Sequence, residues 1–162
     1  MTRALFAGPC LVLLAACAKP PVDTAADVAA INAVREREMA AFKGGMPDSL
    51  VAVFAADAVI MPPNEPQLNG AAAFRAWAAA ADSMFTVEGG YTESSVTVAG
   101  DWAIDRYTGA LTMTPKAGGA AMQERVRGVH ILQRQADGRW LITSDIWNSE
   151  TPLAPPPPPA RR

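Results

Sequence analysis

Apolar and polar positions change rhythm once along this chain, near Phe85. Before that point apolar residues recur at helical spacing. Val28, Ile31, Val34 and Phe42, with Met39 beside them, mark one buried stripe. The helix they predict is capped by Asp23 or Thr24 and runs to about Phe42. Arg35, Glu36, Arg37 and Glu38 fall mostly on its water-facing side, and Gly44-Gly45 stops it. Pro47 opens a shorter helix with Leu50, Val53 and Phe54 apolar. Ala58 to Met61 reads as a brief strand ended by Pro62-Pro63, and Asn69-Gly70 as a turn. An alanine-rich third helix follows, with Phe74, Trp77 and Met84 near one face.

Beyond Phe85 the runs alternate and favour β structure, at about 85–98, 102–114, 121–135 and 140–149. Their breaks are Ala99-Gly100-Asp101, Pro115 to Gly119, and Ala136-Asp137-Gly138-Arg139. Three helices followed by a meander of long strands predict an α+β fold. A curved antiparallel sheet then wraps around the helices with one face inward.

The first residues obey neither rhythm. Arg3 precedes an apolar run that ends in Leu14-Ala15-Ala16-Cys17. A basic start, about 7–15 apolar residues and small residues at the cut describe a secretory signal. The stretch is interrupted by Gly8 and Pro9 and is shorter than the ~20 residues of a spanning helix. A cysteine directly after the small residues resembles the lipobox of bacterial lipoproteins. That resemblance implies loss of residues 1–16, acylation of Cys17, and a periplasm-facing protein held in a membrane, the outer one favoured over the inner. Residues 17–22 are then the lipidated cysteine and a linker, and 152–162, with its run Pro155–Pro159, a disordered polyproline-type tail. Cys10 leaves with the signal, so the mature chain has no pair of thiols for a disulfide.

Composition narrows the function classes. Half the chain is apolar and the formal net charge is −2. A globular body is expected, with no basic surplus to neutralise phosphates, which argues against nucleic-acid binding. His130 is the single histidine and no cysteine remains beyond Cys17, so neither a zinc site nor another metal is expected. There is no Gly-rich phosphate loop or serine-nucleophile motif, and no cofactor is expected.

The order of elements resembles the cone-shaped ketosteroid-isomerase and nuclear-transport-factor-two superfamily. Within it the chain resembles the SnoaL-like group that includes SgcJ/EcaC-type proteins. The carrying segments are Asp57-Ala58-Val59-Ile60-Met61-Pro62-Pro63-Asn64, Asn69-Gly70, Asp137-Gly138-Arg139-Trp140 and Asp145-Ile146-Trp147-Asn148-Ser149, within a domain of 23–151. The resemblance implies a deep pocket between sheet and helices and often a homodimer through the sheet's outer face. It names no reaction, because the fold hosts many.

The last hairpin carries the candidate chemistry. Asp137-Gly138 is a turn signal. With those two residues as the loop centre, residues whose numbers sum to 275 face each other. His130 then lies across from Asp145, and Gly128 across from Trp147. Facing Cβ atoms are ~4.5–5.5 Å apart, provided no bulge or odd loop residue shifts the register. A carboxylate beside an imidazole orients it and raises its basicity, so the pair can move a proton. Polyketide cyclases of the SnoaL type use such a pair, which makes Asp145 and His130 candidate acid and base; the alternative is a structural ion pair. The row Val126, Gly128, His130, Leu132 with Leu141, Thr143, Asp145, Trp147 is favoured as the pocket face, because it joins an aromatic to convergent polar groups. Tyr107 can donate a hydrogen bond to a ligand carbonyl, and Asp105 shares its parity. Trp147, Trp77, Phe54 and Met39 are the expected apolar contacts of a ligand, or plain core.

Three functions fit. The leading one is a lipid-anchored envelope protein that binds a small, largely apolar molecule. The second is an acid–base enzyme of isomerase, cyclase or dehydratase type using Asp145 and His130. The third is a non-catalytic dimeric interaction module. Burial of His130 and Asp145 at a cavity favours the second.

Overall fold

The structure is a computed structural model that describes residues 24–151. The signal segment, Cys17, the linker and the proline-rich end lie outside the described residues. Three helices and six strands follow one another: α1 (Ala25–Lys43), α2 (Pro47–Val51), β1 (Phe54–Met61), β2 (Leu68–Asn69), α3 (Ala71–Met84), β3 (Phe85–Ala99), β4 (Trp102–Pro115), β5 (Met122–Arg134) and β6 (Trp140–Ser149). The α+β class expected above is the one observed. The six strands form one curved, unclosed sheet in the order β2-β1-β6-β5-β4-β3. It is antiparallel except where β1 lies parallel to β6.

Local chemistry explains most boundaries. Pro47 sits at the start of α2, where its missing N–H costs nothing. The second helix is shorter than its apolar residues suggested: it ends at Val51, and Phe54 opens β1 instead. Paired to Ile142 of β6, Phe54 gains a sheet partner that a five-residue helix cannot supply. Met84 of α3 is about half exposed rather than part of its inner face.

The hairpin between β5 and β6 departs from the expected register twice. Gln135 and Arg139 pair through Gln135 N–H to Arg139 O, so the loop holds three residues, Ala136 to Gly138. Gly138 takes the left-handed conformation that such a loop needs (φ 85°). Arg134 therefore faces Trp140, one residue off the simple count. A bulge between Ile131 and Leu132 on β5, at Thr143 on β6, then restores it, and His130 faces Asp145. The two shifts cancel.

They also mix the two faces. Near the turn Trp140 and Ile142 point inward with Leu132, where Leu141 and Thr143 were expected. Beyond the bulge the favoured row holds, and Asp145 and Trp147 join His130 and Gly128 inside. Ile31, Leu50, Ile60, Leu132 and Ile142 are the most deeply buried apolar side chains of the core. Burying each such side chain is worth about 1.5–3 kcal/mol.

Candidate active site

At the other end of the same strands the interior is ionisable. Glu38, Asp105, His130 and Asp145 are all buried, Asp105 and His130 at 1 % exposure or less. His130 stands between three carboxylates. Its Nε2 lies 3.5 Å from Glu38 Oε2 and 3.4 Å from Asp145 Oδ1, and its Nδ1 3.6 Å from Asp105 Oδ2. These are ion-pair distances, longer than a hydrogen bond. Arg35 Nη1 donates to Asp105 Oδ2 at 2.8 Å and anchors the far side. Two phenols complete the network. Tyr91 donates to Glu38 Oε2 at 2.7 Å, and Tyr107 donates to Asp145 Oδ1 at 2.9 Å.

Five elements meet to build this cluster. Asp105 and Tyr107 come from β4, His130 from β5 and Asp145 from β6, all on inward positions of adjacent strands. Register alone sets that row: Asp105 faces His130, which faces Asp145. α1 adds Arg35 and Glu38, and β3 adds Tyr91. Gly128 has a specific part here. A Cβ at that position would run into the Tyr107 hydroxyl. The space left by this glycine thus admits Tyr107, from the strand on the other side, in addition to facing Trp147.

Charge is tightly coupled within the cluster. Burial pushes Glu38 up, Asp145 adds to the rise, and despite His130 and Tyr91 it reaches about 7. Burial likewise raises Asp145, against the pull of His130 and the Tyr107 hydroxyl. Desolvation opposes a charge on His130, but Glu38, Asp145 and Asp105 overcome it and lift the imidazole to about 9. Burial works against Asp105 too, yet His130 and Arg35 hold it below the usual carboxylate range. Burial and the carboxylates drive both phenols up, so Tyr91 and Tyr107 stay protonated. The cluster as a whole favours charge on His130 and Asp105 and protonation of Glu38 and Asp145, each relative to the free side chain.

A cavity of about 450 Å³ opens beside this cluster. Glu38, Asp145, Tyr91 and Tyr107 line it, whereas His130 lies behind them. Its apolar wall is aromatic. Trp77 stacks on Phe74 (centroids 5.7 Å) and Phe42 (6.4 Å) and meets Trp147 edge-on at 6.0 Å. Met39 lines it as well, and Pro62, Pro63 and Asn64 shape part of its wall.

Of the residues singled out from sequence, Asp145, Tyr107, Trp147, Trp77 and Met39 reach the cavity. His130 does not line the cavity, but lies against Asp145 and the Tyr107 ring. Phe54 is plain core, edge-on to Phe74 at 4.8 Å. Tyr107 is in place, but its one proton is given to Asp145 and not to a ligand. Glu38 and Arg35 correct the expectation of a water-facing run on α1, since partners on the sheet draw both inward. Glu38 had one available signal: it lies seven residues after Ile31 and four after Val34, on the buried stripe. Tyr91 carried none.

Glu38, His130 and Asp145 place three possible ligand atoms within 4.8 Å of one another, a set the expectation of no metal did not foresee. The carboxylate oxygens nearest His130 already accept from Tyr91 and Tyr107. The cluster reads as an ion-pair network.

Three helices against one curved sheet, with a buried ionisable cluster beside an apolar cavity, make this an α+β pocket domain. The chain belongs to the SnoaL-like domain family, whose model matches residues 36–142. No curated protein matches it. Among solved structures it is similar to a conserved protein from Planctomyces limnophilus, at 22% identity and TM-score 0.71, covering 76% of this chain and 98% of that one. It is also similar to a ketosteroid isomerase-like protein from Erwinia carotovora atroseptica, at 22% identity and TM-score 0.69, covering 78% and 98%. A third is a candidate dehydratase from the NTF2-like family from Streptomyces avermitilis, at 19% and 0.68, covering 78% and 98%. At these identities the likeness establishes the fold.

Proposed function

We propose that this is an envelope lipoprotein whose cavity binds a small, largely apolar molecule and exchanges a proton with it, as an isomerase, cyclase or dehydratase does. One observation carries the reading: two buried carboxylates, Glu38 and Asp145, share one imidazole at the wall of an aromatic cavity. A general acid–base works best when its pKa is near the working pH, and Glu38 at about 7 meets that condition. Glu38 and Asp145 are the groups that face the ligand. His130 is a positioning residue, since it does not reach the cavity; its charge lets a proton sit on either carboxylate. Tyr91 and Tyr107 hold the two carboxylates in place.

Support for the anchor is the run Leu14-Ala15-Ala16-Cys17 alone. A domain tethered a few residues from a bilayer has ready access to apolar molecules. The reading extends to a homodimer through the outer sheet face, where Trp102, Ile104, Ile131 and Ile146 are exposed.

Native mass spectrometry of the purified full chain tests binding by looking for a co-purifying small molecule. Incubating that molecule with the protein in heavy water tests proton exchange, read as deuterium on carbon. Asp145→Asn is expected to abolish the exchange. A bound molecule that takes up no deuterium, or takes it up equally with Asp145→Asn, would remove the acid–base role.

A further inference from the structure

The polar chemistry of the cavity wall is one-sided. Its charged members are Glu38, Glu65, Glu124 and Asp145, and among the described residues no lysine, arginine or histidine lines it. The wall's own donors are largely spent. Tyr91 and Tyr107 donate to the two buried carboxylates, and Trp77 Nε1 donates to Glu65 at 2.7 Å. Ser149 and Thr151 donate to backbone carbonyls. A hydroxyl that has given up its proton offers only lone pairs.

What remains open to a ligand is therefore mostly acceptors. Glu124 is the clearest case. It lies on β5 two residues before Val126, on the same inward row, and its Oε1 is buried with no hydrogen-bond partner. A buried acceptor left unpaired costs about 1–3 kcal/mol. The side chains of Glu38 and Asp145 are only 9 % and 5 % exposed, and the oxygen that each turns toward His130 is shared with it. Phe42, Phe74, Trp77 and Trp147 add ring faces, whose quadrupoles attract cations. A carboxylate or phosphate ligand would find no cationic side chain on the wall, and a carbonyl would find few donors.

We propose that the cavity selects an organic ammonium, a protonated amine on an apolar or aromatic body, with its charge directed at Glu124. This rests on the reading that the cavity binds a small, largely apolar molecule, and adds the sign of that molecule's charge.

A matched set of probes separates the two claims. Calorimetry on the full chain at pH 7.5 compares 1-naphthylmethylamine, 1-naphthylmethanol and 1-naphthoate. The ammonium is expected to bind about tenfold more tightly than the alcohol, with the carboxylate weakest. Glu124→Gln is expected to remove most of that preference while the alcohol still binds within about twofold, which also shows that the variant is folded. Added salt is expected to shrink the preference of the unaltered chain. If the alcohol binds and the ammonium gains nothing over it, the charge inference falls and the cavity reading stands. A preference that survives Glu124→Gln overturns the assignment to Glu124. If none of the three binds, both fall.

Discussion

Strands β5 and β6 run through two interiors that share one sheet and differ in every physical respect. Toward the turn, Leu132, Trp140 and Ile142 are buried in the apolar core with Ile31 and Ile60. Past the bulge at Thr143 the same strands present His130 and Asp145, with Glu38 and Asp105 alongside and a cavity in front. The first region gains from burial. The second is burdened by it, because desolvated carboxylates must share protons and cations to exist there at all. A single bulge separates them, which implies a division of labour: one end holds the fold together and the other is free to be functional.

The largest effect that can break this comparison is at the closed end. Leu132→Ala is expected to cost about 2–5 kcal/mol in chemical denaturation while leaving probe affinity at the cavity unchanged. A loss of affinity in a variant still fully folded would show that the two ends are not separable.

The next effect is at the ionisable end and depends on pH. Glu38 is raised from 4.5 to about 7 and His130 from 6.5 to about 9. For both, the folded chain binds more protons than the unfolded chain across these windows, so stability falls as pH rises. His130 contributes stability that is fully present below pH 6.5 and lost through about 9. Glu38 carries a penalty that grows between 4.5 and about 7, on the order of 3 kcal/mol. The melting temperature should therefore drop between pH 5 and 9, and Glu38→Gln should flatten the lower half of that drop. A profile that is flat or rises over this range would refute the buried network. Asp105, held low, acts with the opposite sign and only in acid, where its stabilisation is lost as pH falls through its folded value.

The smallest of the three sharpens the boundary. Gly128→Ala places a methyl against the Tyr107 hydroxyl and the Ile146 carbonyl. About 1–3 kcal/mol is expected, with Tyr107 displaced from Asp145. If Asp145→Asn added to Gly128→Ala shows full additivity in a double-mutant cycle, the Tyr107–Asp145 contact is not the link between them.

Much of the fold was legible because periodicity survives in any context. The stripe Ile31 and Val34, the alanine-rich α3 and the alternation after Phe85 each bury one face, and burial is what the pattern encodes. Half of the site was legible for the same reason. Strand pairing is a counting problem, so His130 and Asp145 could be set opposite each other, although a three-residue loop and a bulge had to cancel for the count to hold. Phe54 was misplaced because a short apolar run reads equally as helix or strand.

By itself the sequence determined three helices followed by a meander of four long strands, the alternation along those strands, and the lipobox-like Cys17. Only the tertiary structure decided which charges are inside. Arg35 and Glu38 sit in a run of four charged residues that looks solvated. Whether such a group is buried depends on partners distant in the chain: Asp105 for Arg35, His130 and Tyr91 for Glu38. A hydrophobic side chain enters the core on its own account. An ion enters only when another group, supplied by a different strand or helix, offsets the cost of leaving water.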